Sequence, residues 1–262
     1  MNQPVYDQIG KSYNTNRRAD ARLVERIIGL LDLPAGAVLA DIGAGTGNYA
    51  GAIADQGFKV QAVEPSAEMR GQAKPHEGVT WIAGSAENIP LPNASVDGIV
   101  VILAIHHFAS VGEAARELGR ICPTGPIVIL TNDPRVAEPS WFADYFPEIH
   151  ARDFITFPPL AEITDQISGA LGRAGGVHGF PLPDNFTDRN MLSGWNRPES
   201  YLDAQVRQNT SGFAMAEPEI VKLRIAKLEQ DLQSGEWDRK HGALRTQSAF
   251  DAGFRLLRFG AR

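Results

Sequence analysis

The segment Val38-Leu-Ala-Asp-Ile-Gly-Ala-Gly-Thr-Gly47 constrains this chain more than any other. A short, mostly apolar run, Val38–Ile42, ends in Gly43, Gly45 and Gly47, and a helical pattern starts directly behind them. Such glycines allow a sharp turn with positive φ and let a ligand approach the main chain. A lone Gly-x-Gly turn is common, so its value comes from the segments around it.

Those segments repeat one theme. Val60–Glu64, Val79–Ala83, Gly98–Leu103 and Pro126–Thr131 read as strands; Tyr49–Gln56, Ser66–Ala73 and Glu113–Ile121 read as helices between them. Ser66 is a natural N-cap. Continuous Val/Ile runs separated by helices imply parallel strands covered on both faces, the pattern of a doubly wound α/β sheet. Ahead of this unit, Ala19–Leu31 reads as a helix, with Val24, Ile27, Ile28 and Leu31 on one buried face and Gly36 at its exit.

After Thr131 aromatic and proline residues crowd the chain. Leu160–Ala174 reads as a helix stopped by Gly175-Gly176, Val177–Leu182 as a strand, and Arg255–Phe259 as the last strand. Pro218 to about Ser234 is the clearest later helix, with proline in its first turn, Gly235 as its cap, and Val221, Ile225, Leu228 and Leu232 as its stripe. The expected division is an N-terminal helical cap (1–36), a sheet domain (37–183 and 251–262) and an inserted, mostly helical lid (184–250).

Composition narrows the function classes. With 43% hydrophobic and 21% charged residues in 262, the chain can bury a sizeable core. No apolar run reaches the roughly 18–20 residues of a membrane span, and the polar start lacks a signal-peptide layout, so a cytoplasmic location and no membrane contact are expected. A net charge of −6, without an extended Lys/Arg cluster, argues against nucleic-acid substrates and for a small molecule or peptide. A monomer or homodimer is expected. The single Cys122 excludes an internal disulfide and reads as a buried structural thiol; no His or Cys spacing suggests a metal site.

Two carboxylates select the ligand. Glu64, followed by Pro65, ends the second strand about 20 residues beyond the glycines, where an acid can accept hydrogen bonds from ribose hydroxyls. Asn48 occupies the place where a dinucleotide fingerprint needs a small residue. Asp41 beside the turn repels a pyrophosphate but attracts an ammonium group. S-adenosylmethionine (SAM) has an ammonium and a sulfonium and no phosphate, so the charges favour SAM over NAD. In Trp81-Ile-Ala-Gly-Ser-Ala-Glu87, Ser85 or Glu87 can meet an adenine edge while Ala86 packs near it; an ordinary surface turn is the equal alternative.

The motifs LADIGAGTG (39–47), VQAVEPS (60–66), GSAENIPLPNASVDGIVV (84–101) and LAIHHF (103–108) resemble those of the class I SAM-dependent methyltransferases, specifically the type 11 family, across about residues 37–133. The resemblance implies a Rossmann-like, doubly wound, seven-stranded and mostly parallel sheet with helical and aromatic lid insertions, the seventh strand being antiparallel and near the C-terminus. It also implies that Asp41 and the glycines hold the methionine part of SAM, Glu64 and Pro65 the ribose, Ser85, Ala86 and Glu87 the adenine, and that Leu103 lies near the sulfonium. Tyr13 and Arg18 match a cap that closes over the SAM carboxylate; packing and a solvated charge are their alternatives.

The implied activity is in-line transfer of a methyl group to a small-molecule or peptide acceptor. His106 and His107 follow the fourth strand at its ligand-binding edge, so either can be a general base or a packed loop residue. Trp141, Tyr145, Phe146, Trp195 and Tyr201 are candidate acceptor contacts, or the core of the lid. One cysteine is too few for arsenite methylation. A NAD-dependent oxidoreductase and a non-catalytic SAM-binding regulator are the rival readings.

Overall fold

The computed structural model describes residues 18–208 and 210–260. Helix α1 (Ala21–Leu31) starts where the Asp20 carboxylate accepts the backbone N–H of Arg22, and it buries Leu23, Val24, Ile27, Leu30 and Leu31. It stops at Asp32, which takes a left-handed cap (φ 52°) four residues before Gly36, the exit read from the sequence.

Strands β1 (Val38–Ile42), β2 (Lys59–Val63), β3 (Val79–Ile82), β4 (Gly98–Ile102) and β5 (Ile127–Asn132) are parallel. Helices α2 (Asn48–Ala54), α3 (Ala67–Gly71) and α4 (Val111–Ile121) connect them. Ser66 caps α3 by accepting the N–H of Met69, as its position in the sequence suggested. After β5 come α5 (Trp141–Tyr145), α6 (Pro147–Thr156) and α7 (Leu160–Leu171), then β6 (Gly175–Gly179) and β7 (Leu182–Pro183). Then follow α8 (Ala204–Gln208), α9 (Ser211–Ala214), α10 (Pro218–Ser234), α11 (Glu236–His241), β8 (Ala249–Phe250) and β9 (Phe254–Phe259).

The seven-stranded sheet runs β3-β2-β1-β4-β5-β9-β6, with β9 antiparallel to both its neighbours. The expected mostly parallel sheet with an antiparallel C-terminal strand is therefore what the chain forms. One detail differs. Gly175 and Gly176 lie inside β6, and α7 ends earlier at Gly172, which takes the left-handed cap at φ 63°.

Strand periodicity explains the two layers. Val100, Val128 and Leu130 face the cluster containing α1 and α2; Ile99, Val101, Ile127 and Ile129 face the opposite cluster, with α4 and α7. A third cluster stands apart from the sheet. It joins Trp141, Phe142, Tyr145, Phe146 and Ile149 to Tyr201, Phe213, Leu228 and Trp237. Two segments far apart in sequence thus share one lid core, and the Arg224–Glu148 ion pair ties α10 to α6.

Cys122 is fully buried and burial pushes its thiol pKa up. It should resist a thiol reagent in the native state and react with one equivalent on unfolding; rapid native-state modification would contradict that packing. Among the described residues no helix is long and apolar enough to cross a membrane, and no group of three His, Cys, Asp or Glu side chains could hold a metal ion.

Candidate active site

The carboxyl ends of the parallel strands form one edge, the usual ligand side of such a sheet. Gly43, Gly45 and Gly47 all have positive φ there, at 75°, 59° and 78°. A Cβ on Gly43 would lie 2.5 Å from Ala104 Cβ, and one on Gly47 would lie 2.5 Å from the Trp81 ring. The first contact packs the turn against the start of the His106-His107 segment, and the second fixes the entry into α2. The N–H groups of Gly43 and Ala44 both donate to Val63 O, locking the turn onto the end of β2.

Asp41 and Glu64 meet at this turn. Glu64 is buried; its Oε2 accepts the Gly45 N–H and its Oε1 the Ser66 N–H, each at 2.9 Å. Asp41 is 2% exposed, and its Oδ1 is buried without a hydrogen-bond partner among the described residues. Burial, reinforced by the negative charge of Glu64, pushes the Asp41 pKa up to about 7. A buried carboxylate with an unmet oxygen beside a second acid is costly until a cation or donor arrives. A phosphate is the wrong partner for it.

A cavity of about 100 Å³ opens beyond the next two strand ends. Leu103, His106, Asn132 and Phe254 form its floor; Asp153, Thr156 and Phe157 from α6 and its end, with Asn190–Leu192 and residues near Met215, form the roof. Leu103 is one of the few non-glycine residues at positive φ (51°), and its N–H donates to Leu130 O at 2.9 Å. Such strain is held where the surroundings over-determine it, often at a ligand site. His106 packs between His107 (3.9 Å between ring centroids) and Phe157 (4.5 Å). Its Nδ1 is buried without a partner among the described residues, and burial, with His107 beside it, holds its pKa well below the usual imidazole range. The ring is therefore neutral at physiological pH.

Comparison with known proteins now bears on this edge. The family profile described as "Methyltransferase domain" matches residues 40–130. A ubiquinone/menaquinone biosynthesis C-methyltransferase of Rubrivivax gelatinosus is 35% identical over 129 residues, 48% of this chain and 49% of that protein. The chain covers less than two thirds of the length of this and similar curated relatives. A solved structure from Anabaena variabilis, assigned as a methyltransferase from an antibiotic biosynthesis pathway, is 43% identical, covers 94% of this chain and 99% of that one, and superposes with a TM-score of 0.91. The chain belongs to the class I SAM-dependent methyltransferases. A more distant structure, phosphoethanolamine N-methyltransferase 2 of Haemonchus contortus, shares the fold alone, at 15% identity and a TM-score of 0.60 over 96% of this chain and 55% of that one.

In this methyltransferase the residues singled out from sequence separate into groups. Asp41, Gly43, Gly45, Gly47 and Glu64 gather at one turn. Exposed Pro65 follows Glu64, and half-buried Ser85 and buried Ala86 sit in the turn after β3, where Ser85 bridges to Asn88. Glu87 needs correction as an adenine contact: its carboxylate accepts the N–H groups of Ala109 (2.7 Å) and Ser110 (3.3 Å), anchoring the loop behind the histidines. Of the two histidines only His106 lines the cavity; His107 is exposed. Arg18 is exposed, and Tyr13 lies outside the described residues.

The aromatic candidates need correction too. Trp141, Tyr145, Trp195 and Tyr201 are at most 5% exposed, and none lines the cavity. Trp141 Nε1–H donates to Trp195 O, Tyr145 OH to Asp231 at 2.8 Å, and Tyr201 OH to Met191 O; Trp195 stacks on Phe250. The polar tips of Trp141, Tyr145 and Tyr201 are spent holding the lid together, and the Trp195 ring belongs to the sheet-side core. Asp133 likewise caps its own loop, accepting from the N–H groups of Arg135 and Leu160. Sequence reasoning missed Asp153. Its signal was available: it lies four residues after buried Ile149, on the inward face of α6.

Proposed function

We propose that this protein transfers a methyl group from SAM to a small-molecule acceptor held in the cavity under the lid. The carrying observation is the buried, unpartnered Asp41 oxygen at the three-glycine turn, which suits an ammonium group and repels a pyrophosphate. SAM supplies a methyl group on a positively charged sulfur. Asp41 would take the amino-acid end, Glu64 the ribose, and the Ser85-Ala86 turn the adenine. Leu103 lines the cavity at the end of the fourth strand, which supports reading it as the side chain where the two ligands would meet.

The chain's own contribution is alignment and exclusion of water, for which effective molarities can reach ~10⁵ M or more. His106 offers an uncharged ring nitrogen to the acceptor, suited to receiving a proton or orienting the reacting group. The small size of the cavity, about 100 Å³, favours a small molecule over a peptide. Neither a NAD-dependent reaction nor a filled, non-catalytic site is favoured by an edge with two acids and an open acceptor cavity.

Glu64→Ala should weaken SAM binding at least tenfold, about 1.4 kcal/mol, in calorimetry. It should also destabilise the ligand-free protein by about 1–3 kcal/mol, because two backbone N–H groups lose their acceptor. Unchanged affinity would contradict the ribose assignment, and saturable binding of NADH would contradict the cofactor.

A further inference from the structure

We infer that Asp153 makes the acceptor cavity a site for a small protonated amine with an apolar body. The inference rests on the methyl-transfer reading and adds the substrate class to it.

Asp153 is 8% exposed and lines the cavity. Among the described residues its carboxylate has no hydrogen bond or ion pair; only its backbone carbonyl is engaged, by the Phe157 N–H. Structural carboxylates elsewhere in this chain are satisfied: Asp133 by Arg135 and Leu160, and Asp231 by Lys227 and Tyr145. A buried acid left unpaired costs stability unless something pairs with it.

The neighbouring groups do not fill that role. Arg152 also lines the cavity, but its Nη1 donates to Met215 O at 2.7 Å and the side chain is largely exposed. His106 is neutral. Burial alone pushes the Asp153 pKa up to about 7, so a cation bound here would restore its charge. The rest of the wall specifies the remainder of the ligand. Leu103, Phe157, Met191, Leu192 and Phe254 offer an apolar lining, and the aromatic faces tolerate a nearby cation. Asn190 adds a buried Nδ2 donor with no partner among the described residues. Apart from Arg152, which is largely exposed and bound to Met215 O, the cavity presents one anionic group, neutral polar groups and an apolar surround. That set recognises an ammonium on a compact hydrocarbon and disfavours a carboxylate or phosphate.

The test uses the full chain saturated with S-adenosylhomocysteine and three matched probes: benzylamine, benzyl alcohol and benzoate. Dissociation constants come from calorimetry or ligand-observed NMR. The inference expects benzylamine to bind at least tenfold more tightly than benzyl alcohol, with benzoate weakest. Asp153→Asn should remove most of that preference while leaving the affinity for S-adenosylhomocysteine within twofold. Equal or tighter binding of the alcohol or benzoate, an amine preference that survives in Asp153→Asn, or no benzylamine binding at millimolar concentration would overturn it. Should the variant fail to fold, the order of the three probes on the unmodified protein decides alone. Failure of S-adenosylhomocysteine itself to bind would instead remove the methyl-transfer reading.

Discussion

Replacing Asp41 with asparagine should weaken SAM binding about 30-fold or more, ~2 kcal/mol, and at the same time stabilise the ligand-free protein at neutral and alkaline pH. The two effects have one cause. Asp41 is held buried beside Glu64 with an unmet oxygen, so its charge is costly without a ligand and valuable with a cationic one. Its folded-state pKa, about 7, lies above the ordinary 3.8. Below about pH 4 both the folded and unfolded chains hold the proton, and no penalty exists. From about pH 4 to 7 the unfolded chain releases the proton while the folded chain keeps it, so stability falls as pH rises. Above that window the full cost remains, of the order of a few kcal/mol.

Asp153 acts in the same direction and the same window. Asp20 acts in the opposite one: although burial raises its pKa, hydrogen bonds from Arg22 and Thr187 outweigh that and lower it to about 2, so its contribution is lost only as pH falls below 4. Thermal melts at pH 5 and pH 8 separate the groups. Burial-lowered His106 and His107 pull stability the other way across this window, so the reading is the difference between proteins: ligand-free Asp41→Asn should gain more over the unmodified protein at pH 8 than at pH 5. In a chain of this size each kcal/mol moves Tm by about 2–4 °C. A variant that loses SAM and stability together would show that Asp41 is structural.

Trp141→Ala should cost about 3–5 kcal/mol, the range for removing a buried large aromatic. Trp141 is 1% exposed and touches the rings of Phe142, Tyr145, Phe146, Tyr201 and Trp237, and its indole N–H donates to Trp195 O at 2.6 Å. The alanine variant loses this packing and leaves a buried carbonyl without its donor. The damage should concentrate in the lid. Hydrogen exchange should rise in α5, α6 and α10 well before the parallel strands, and acceptor turnover should collapse. SAM affinity should fall by less than threefold, since the three-glycine turn belongs to another core. Trp141→Phe should recover most of the packing and none of the hydrogen bond. If Trp141→Ala instead left stability intact and raised only KM, the side chain would be an acceptor contact after all.

These two residues also show what a sequence can and cannot reveal about such a chain. The sheet was legible because buried parallel strands are continuous Val/Ile runs and several helices, such as those behind Asp20, Ser66 and Ser110, begin with a capping side chain. The three-glycine turn was legible for a related reason: each strand end carries its own short motif, so Asp41, the glycines and Glu64 announce themselves locally. The acceptor side is assembled differently. Its roof combines 152–157 with 190–215, and nothing local joins them. An aromatic in those stretches serves the lid core or the cavity wall equally well by composition. Only tertiary contacts show that Trp141, Tyr145 and Tyr201 belong to lid packing and Trp195 to the sheet-side core, while a single inward acid, Asp153, lines the cavity. Glu87 misleads for the same reason: its partners, Ala109 and Ser110, lie beyond the next strand. Gly175-Gly176 reads as a helix stop, but β9 recruits both residues into the sheet.

The most direct test of the central claim is a crystal structure of the full chain grown with S-adenosylhomocysteine. The amino group should lie within hydrogen-bond distance of Asp41, the ribose hydroxyls should face Glu64, and the sulfur should point toward Leu103 and the cavity. A ligand seated elsewhere, or a phosphate-bearing nucleotide occupying the three-glycine turn in a parallel soak, would contradict it.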